Sequence, residues 1–198
     1  EGDVLTYSWE QFNPGAYGDA IGSVSLTSVG PLFKVNFPST DPVRVIPNWS
    51  SILGAQNFNL REVLPSVSRP LDFRFVVRDN NAESGAVSWE NLHLEVTDQA
   101  GPFTVMKPNG SGDVLYKNAC NVIKWDAANT NVAPVSCSKV NIYLIYKNNV
   151  KNPILLKENA DNDGEEIVDI PDSMAVANCR IMVKSVGNVF FDVSDQDI

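Results

Sequence analysis

The stretch LDFRFVVR, residues 71–78, decides the fold class of this chain. Its apolar residues stand at positions 71, 73, 75 and 77, and the positions between them carry Asp72, Arg74, Val76 and Arg78. Consecutive side chains of a β-strand point to opposite faces of the sheet. A period of two therefore predicts a strand with one buried face and one face that is mostly exposed to water.

The same period continues away from this stretch in both directions. It recurs in Leu5/Tyr7/Trp9, Leu92/Leu94/Val96, Val140/Ile142/Leu144/Tyr146 and Ile181/Val183. Turn-forming Asn, Asp, Gly and Pro residues separate these runs, and the best helical candidate is a single turn near residues 50–54. Short strands joined by such turns predict an all-β fold of antiparallel sandwiches, each of about 100 residues.

The charge distribution divides the chain near its middle. Residues 1–101 carry twelve acidic residues with five Arg and one Lys, whereas residues 102–198 carry twelve acidic residues with eight Lys and one Arg. A polar segment that ends in Gly-Pro, residues 98–102, lies between the halves, as is typical of a domain boundary. The sequence predicts two tandem β-sandwiches, 1–101 and 102–198.

Composition argues against several classes of partner. The chain of 198 residues is 43% hydrophobic and has a formal net charge of −9. It contains no run of about 20 apolar residues, which a membrane-spanning helix would need. The excess of acid argues against nucleic acid or an anionic membrane as the main partner. The first residues already read as the approach to a strand, so we expect a longer protein whose targeting signal lies elsewhere.

Catalytic motifs are absent from the sequence. The one histidine, His93, lies between Leu92 and Leu94, so strand alternation predicts that it faces solvent. A single histidine cannot form the zinc motif H-E-x-x-H, and neither the nucleophile elbow nor the phosphate-binding loop is present. We interpret the chain as non-enzymatic. Paired carboxylates for glycoside hydrolysis leave no short signature, so that alternative stays open.

The three cysteines lie in the second half and admit two interpretations. Cys120 and Cys179 fall in candidate strands and could form the inter-sheet disulfide of an immunoglobulin-type sandwich, with Cys137 left over. Alternatively, all three are free and behave as small apolar groups. The odd number favours the second interpretation.

One cluster of oxygen ligands resembles part of a calcium-binding loop. Asn159, Asp161 and Asp163 occupy positions 1, 3 and 5 of that pattern, and a glycine follows at position 6. Position 12, which should be a bidentate acid, is Ile170, so a complete EF-hand is excluded. The acidic turn 161–166 is either a calcium site or a solvated turn.

A second cluster combines Glu1 and Asp3, just before the first strand, with Asp79 and Asn80 at the end of the strand 71–78. Sandwich domains bring such loops together at one pole, and carboxylate and amide oxygens suit Ca²⁺. We expect these four residues to be candidate calcium ligands.

Two tryptophans are candidates for ligand binding. Trp49 and Trp89 lie outside clear core positions, whereas Trp9 and Trp125 fit strand patterns and are expected to pack in the core. The alternatives for Trp49 and Trp89 are packing and the recognition of a protein or glycan surface.

Several of these segments together resemble a known family. DVLTYSWEQ at residues 3–11, VLPSVSRPLDFR at 63–74 and VRDN at 77–80 are similar to an immunoglobulin-like (PKD/cadherin-like) module of secreted bacterial reprolysin-like zinc metalloproteases. The likeness continues through residues 100–105, 125–126, 130–135, 162–164 and 186–192. The chain departs from the family pattern at Asn129 and at residues 147–149.

This resemblance implies a non-catalytic accessory region downstream of the protease domain. The zinc site belongs to that catalytic domain, whose motif this sequence lacks, so no catalytic residue carries over. The implied role is to space, stabilise or dock the enzyme outside the cell, with other domains of the parent protein as partners and bound calcium stiffening a loop pole. The alternative is an adhesive module that binds a protein or glycan substrate.

Overall fold

The computed structural model describes residues 3–15, 29–54, 62–147 and 149–198, and the chain divides into two compact units, Glu1–Asp98 and Gln99–Ile198. The described part is nearly all β. The first unit contains β1 (Thr6–Gln11), α1 (Trp49–Ile52), β2 (Arg69–Arg78) and β3 (Val87–Val96). The second contains β4 (Thr104–Lys107), β5 (Cys120–Asp126), β6 (Lys139–Tyr146), β7 (Ile154–Asp161), β8 (Glu165–Asp169), β9 (Cys179–Ser185) and β10 (Phe191–Val193).

The described part of the first unit is built on one antiparallel sheet with the order β1-β2-β3. Its inner face is aromatic, because Phe73 and Phe75 of β2 follow the predicted period of two. Phe75 stacks on Tyr7 at 5.6 Å between ring centroids, and Phe73 stacks on Phe33 at 5.9 Å. Buried Leu32, Phe33, Leu71 and Phe73 form the small core. The strands predicted around residues 5–9, 71–78 and 92–96 are therefore confirmed.

The single predicted helical turn is also confirmed, as α1. Asn48 caps its N-terminus, where the Asn48 side chain accepts a hydrogen bond from the Ser51 N–H at 3.1 Å. Such a cap supplies a partner for one of the N–H groups that a helix start leaves unpaired. With only four residues, α1 depends on its surroundings for stability.

A buried ion pair joins the loops of the first unit. Glu62 accepts hydrogen bonds from Arg44 Nη2 at 3.3 Å and from the backbone and side-chain amides of Asn48 at 3.1 and 2.8 Å. Arg44 also donates to the carbonyl oxygens of Trp9 and Lys34. Burial lowers the pKa of Arg44, and the Glu62 carboxylate partly offsets this effect. These bonds thus connect the loop segments that contain Lys34, Asn48 and Glu62 to β1.

Two sheets share one core in the second unit. Their orders are β10-β9-β6-β7 and β4-β5-β8, all antiparallel. Fully buried Ile123 of β5 belongs to the same core cluster as Ile142 and Leu144 of β6 and Ile181 of β9. The burial pattern of β5 alternates residue by residue, as a strand with one core face requires. The predicted core position of Trp125 is confirmed, with 3% exposure.

All three cysteines are free, so the interpretation as an inter-sheet disulfide is wrong. Cys137 and Cys179 are buried, which agrees with the second interpretation, but Cys120 at the start of β5 is exposed. Burial raises the pKa of the Cys179 thiol to about 11, so this thiol stays protonated at neutral pH.

Candidate functional site

The outer face of the first sheet carries an exposed aromatic and cationic cluster. Arg74 of β2 and Trp89 of β3 lie on this face, where Trp89 is paired directly with Val76, a buried residue of β2. The Arg74 guanidinium lies 5.3 Å from the centroid of the Phe12 ring and 5.7 Å from that of Trp89. Trp89 is 58% exposed. The cluster therefore presents ring surface and a cation to solvent.

His93 lies on the same face, between two carboxylates. Its Nδ1 atom is 2.6 Å from Asp72 Oδ1, and its Nε2 atom is 2.7 Å from Glu95 Oε1. The hydrogen bonds to Asp72 and Glu95 raise the pKa of His93 above its ordinary value. The prediction that this histidine faces solvent is confirmed.

The protonation of His93 gives a direct test of this arrangement. We expect Glu95→Gln to lower the pKa of His93, because the carboxylate acceptor of one ring N–H is replaced by a neutral amide. Because folding raises the pKa of His93, protonation of this residue stabilises the folded state at a pH below its unfolded pKa of about 6.5. This stabilisation is lost as the pH rises through the pKa of His93 in the folded state. The measurement is an NMR titration of the ring protons. Glu90→Gln is the matched control, and an unchanged His93 pKa in E95Q would contradict the assignment.

The structure brings part of the predicted pole cluster together. Asn80 donates from its side chain to the Val4 carbonyl at 2.7 Å, and Asn81 donates to Asp3 Oδ1 at 3.1 Å. Asp79 turns its carboxylate toward its own loop, where Oδ1 accepts from the N–H groups of Asn81 and Ala86. Glu1, the fourth predicted ligand, lies outside the described residues. The strand start and the β2–β3 turn are thus adjacent.

The side chains of the acidic turn after β7 pair mainly with lysines. Asp161 binds Lys139 at 2.7 Å, and the acids that follow on β8 bind lysines as well. Asp163 accepts a long hydrogen bond of 3.4 Å from the Glu165 N–H. Asn159 has a φ of 54° and donates its backbone N–H to Asn141. The carboxylates of this turn point to separate partners.

Asn162, which lies between the predicted ligands, is the structural centre of the turn. Its buried Oδ1 accepts from Trp125 Nε1 at 2.8 Å, and its Nδ2 donates to Thr130 Oγ1 at 3.0 Å and to the Cys137 carbonyl at 2.9 Å. The sequence analysis assigned no role to Asn162, because the calcium-loop pattern takes its ligands from every second position. The available signal was an Asn between two acids at the start of the Asn-Asp-Gly turn 162–164.

The two tryptophans predicted to bind a ligand, Trp49 and Trp89, differ in exposure. Trp49 is half-buried at the start of α1 and lies apart in sequence from the exposed Trp89.

An open cavity of about 550 Å³ in the second unit is lined by residues that include Tyr146, Lys147 and Asp197. Within ranges 3–15, 29–54, 62–147 and 149–198, no group of three His, Cys, Asp or Glu side chains is placed to hold a metal ion.

Comparisons with protein-family models, with curated proteins and with solved structures find no match for this chain. In the described part of the chain, no helix has the length and apolar character needed to cross a membrane.

Proposed function

We propose that this chain is a non-catalytic accessory region of a secreted bacterial metalloprotease, in which two immunoglobulin-like modules space, stabilise or dock the enzyme. The observation that carries this proposal is the division into two β-rich units, each with its own core. Self-contained units in series suit a spacer, because each can keep its structure while its neighbours move. The segments similar to protease accessory modules support the same role.

The proposal is tested on the parent protein with and without residues 1–198. We expect both forms to cleave a short peptide at the same rate, since the catalytic zinc site lies in another domain. The shortened form should lose thermal stability or cleavage of a large protein substrate. Hydrolysis of protein or glycan by the isolated chain would contradict a non-catalytic role.

Calcium is the proposed stiffening ligand of this region, at the pole formed by Glu1, Asp3, Asp79 and Asn80 and at the turn with Asn159, Asp161 and Asp163. The hydrogen bond between Asn81 and Asp3 supports the pole, since it holds Asp3 beside the β2–β3 turn. Carboxylate and amide oxygens are the ligands that Ca²⁺ prefers.

Thermal unfolding with millimolar Ca²⁺ and with a chelator tests the calcium sites. A ligand that binds only the folded state raises the unfolding midpoint, and a concentration 100 times the Kd stabilises by about 2.7 kcal/mol. We expect a rise of several degrees, reduced by Asp3→Asn if the pole binds the ion and by Asp163→Asn if the turn does. Equal midpoints with Ca²⁺ and chelator would mean that both loops are solvated turns.

A second candidate function, adhesion to a protein or glycan substrate, is favoured by the exposure of Trp89. Buried aromatic rings stabilise a fold, whereas exposed rings are available as anchors for a partner. We expect Trp89→Ala to leave the unfolding midpoint nearly unchanged, whereas Trp49→Ala should lower it, because Trp49 is half-buried. A large loss of stability in W89A would show that Trp89 packs in the fold and would remove this candidate.

A further inference from the structure

Along β3, every second residue turns its backbone hydrogen-bonding groups away from β2. The Asp79 N–H donates to the Ala86 carbonyl, so this pair belongs to the hydrogen-bonded positions of the β2–β3 ladder. Such positions alternate along an antiparallel pair. Residues 88, 90, 92 and 94 therefore direct their backbone groups to β2, and residues 87, 89, 91, 93 and 95 direct theirs outward. Among the described residues, none pairs with this edge through its backbone.

The other edge strands in the described part of the sheets carry protecting features. The outer edge of β1 is paired at Tyr7 with Ser39, and β10 has only three residues. The pairing of β4 and the pairing of β7 both contain register shifts. The remaining edge strand, β8, has five residues, and its Glu165 and Glu166 pair with lysines. Short length, bulges and charges are the usual means by which proteins prevent strands from pairing with another chain.

By contrast, β3 is ten residues long, keeps one register along β2 and contains neither proline nor lysine. One local contact covers part of its edge, where the Asn91 N–H donates to Glu90 Oε1 at 3.2 Å. An uninterrupted edge of this length can accept an additional strand.

The side chains of β3 are exposed on both faces of the sheet. Trp89 and Glu95 lie on the outer face, and Leu92, which is 38% exposed, lies on the opposite face with Glu90. The strand therefore offers an aromatic ring and an apolar side chain, together with a carboxylate on each face. Alternate side chains of an added strand would meet these groups in turn.

We propose that the β3 edge binds an extended, positively charged segment of another polypeptide by strand addition. Charge complementarity selects this partner, because β3 itself carries Glu90 and Glu95 and neither lysine nor arginine, and residues 1–101 carry twelve acids against six basic residues. The two cationic groups beside it on the outer face already have partners: Arg74 lies over the rings of Phe12 and Trp89, and His93 is held by Asp72 and Glu95. A second copy of this chain would bring the same carboxylates and a further net charge of −9. This interaction goes beyond the proposed accessory role and does not rest on it.

Amide hydrogen exchange of the full chain, followed by NMR, tests the free edge. We expect slow exchange at residues 88, 90, 92 and 94, whose N–H groups bond to β2, and fast exchange at residues 87, 89, 93 and 95. Slow exchange at all of these positions in the monomer would show that the edge is already covered and would overturn the proposal.

Binding is measured with a blocked eight-residue peptide of alternating lysine and valine, with a glutamate–valine peptide as the charge control. We expect the basic peptide to bind at least about tenfold more tightly than the acidic one, with an affinity that falls as salt is added. The amides at 87, 89, 91, 93 and 95 should then become protected. Absence of binding at millimolar peptide, or equal binding of both peptides, would overturn the proposal.

Two variants at one position separate strand addition from side-chain binding. Asn91→Pro removes an outward N–H and leaves the β2 ladder in place, whereas Asn91→Ala removes the same side chain and keeps that N–H. We expect N91P to weaken the basic peptide about tenfold or more relative to N91A, with the fold of both variants checked by NMR. Equal affinity would overturn strand addition. A dimer that N91P dissociates, seen by sedimentation, would assign the edge to a second copy and overturn the proposed partner.

Discussion

Replacing Glu62 by alanine is expected to destabilise the first unit by about 3–5 kcal/mol, because it leaves the buried Arg44 guanidinium without its carboxylate. The Glu62 side chain is 1% exposed and that of Arg44 is 9% exposed, so water cannot replace the lost partner without opening the loops. Two hydrogen bonds from Asn48 are lost at the same time. The measurement is urea unfolding followed by tryptophan fluorescence, to which three tryptophans of the first unit contribute.

Two further variants give this experiment its controls. The double variant Glu62→Leu with Arg44→Met should lose less stability than E62A, because no uncompensated charge stays buried. Glu10→Ala breaks the ion pair with Arg78, in which both side chains are 34% exposed, and should cost less than about 1 kcal/mol. A similar loss in E10A and E62A would contradict the role assigned to burial.

Asn162→Ala is expected to destabilise the second unit by about 3–4 kcal/mol. The variant leaves the buried Trp125 N–H and the Cys137 carbonyl without the partners they have in the folded chain, and each unsatisfied buried group costs about 1–3 kcal/mol. Hydrogen exchange measured by mass spectrometry over residues 120–126 and 160–168 reports the loss in this unit alone. Faster exchange should spread across β5, which contains Trp125, and β8, which follows the turn and pairs with β5.

Asp163→Ala is the matched control for this variant, because Asp163 lies in the same turn but is exposed. Asp163 accepts a long hydrogen bond of 3.4 Å from the Glu165 N–H, so we expect a loss of less than about 1 kcal/mol. If D163A were as damaging as N162A, the acidic side chains rather than the buried amide would hold the turn.

The strands could be predicted because their signal is local. Alternation in residues 71–78 predicts one buried and one exposed face, and β2 keeps that pattern at residues 71–74. It is wrong at Val76, which is 5% exposed although it lies on the outer face. The same argument placed His93 at the surface. Trp125 also followed from its strand pattern, and it lies on the core face of β5.

The strand order and the partners of polar side chains could not be predicted, because they depend on contacts between distant segments. Nothing in the local sequence of β5 indicates that it pairs with β8. The same limit applies to the acidic turn, whose local sequence does not indicate that Lys139 comes from another strand to bind Asp161. Residue type indicates what a side chain can bind, whereas topology decides what lies within reach.

The pairing of β5 with β8 also bears on how quickly the second unit reaches its structure. Cys120 meets Asp169 and Val140 meets Ser185, so strands must find partners more than 40 residues away while other strands lie between them. Chains dominated by such distant pairings fold in milliseconds to seconds, more slowly than helical bundles. Since β1 to β3 are complete by residue 96, the first unit can fold during synthesis before β8 and β9 have left the ribosome.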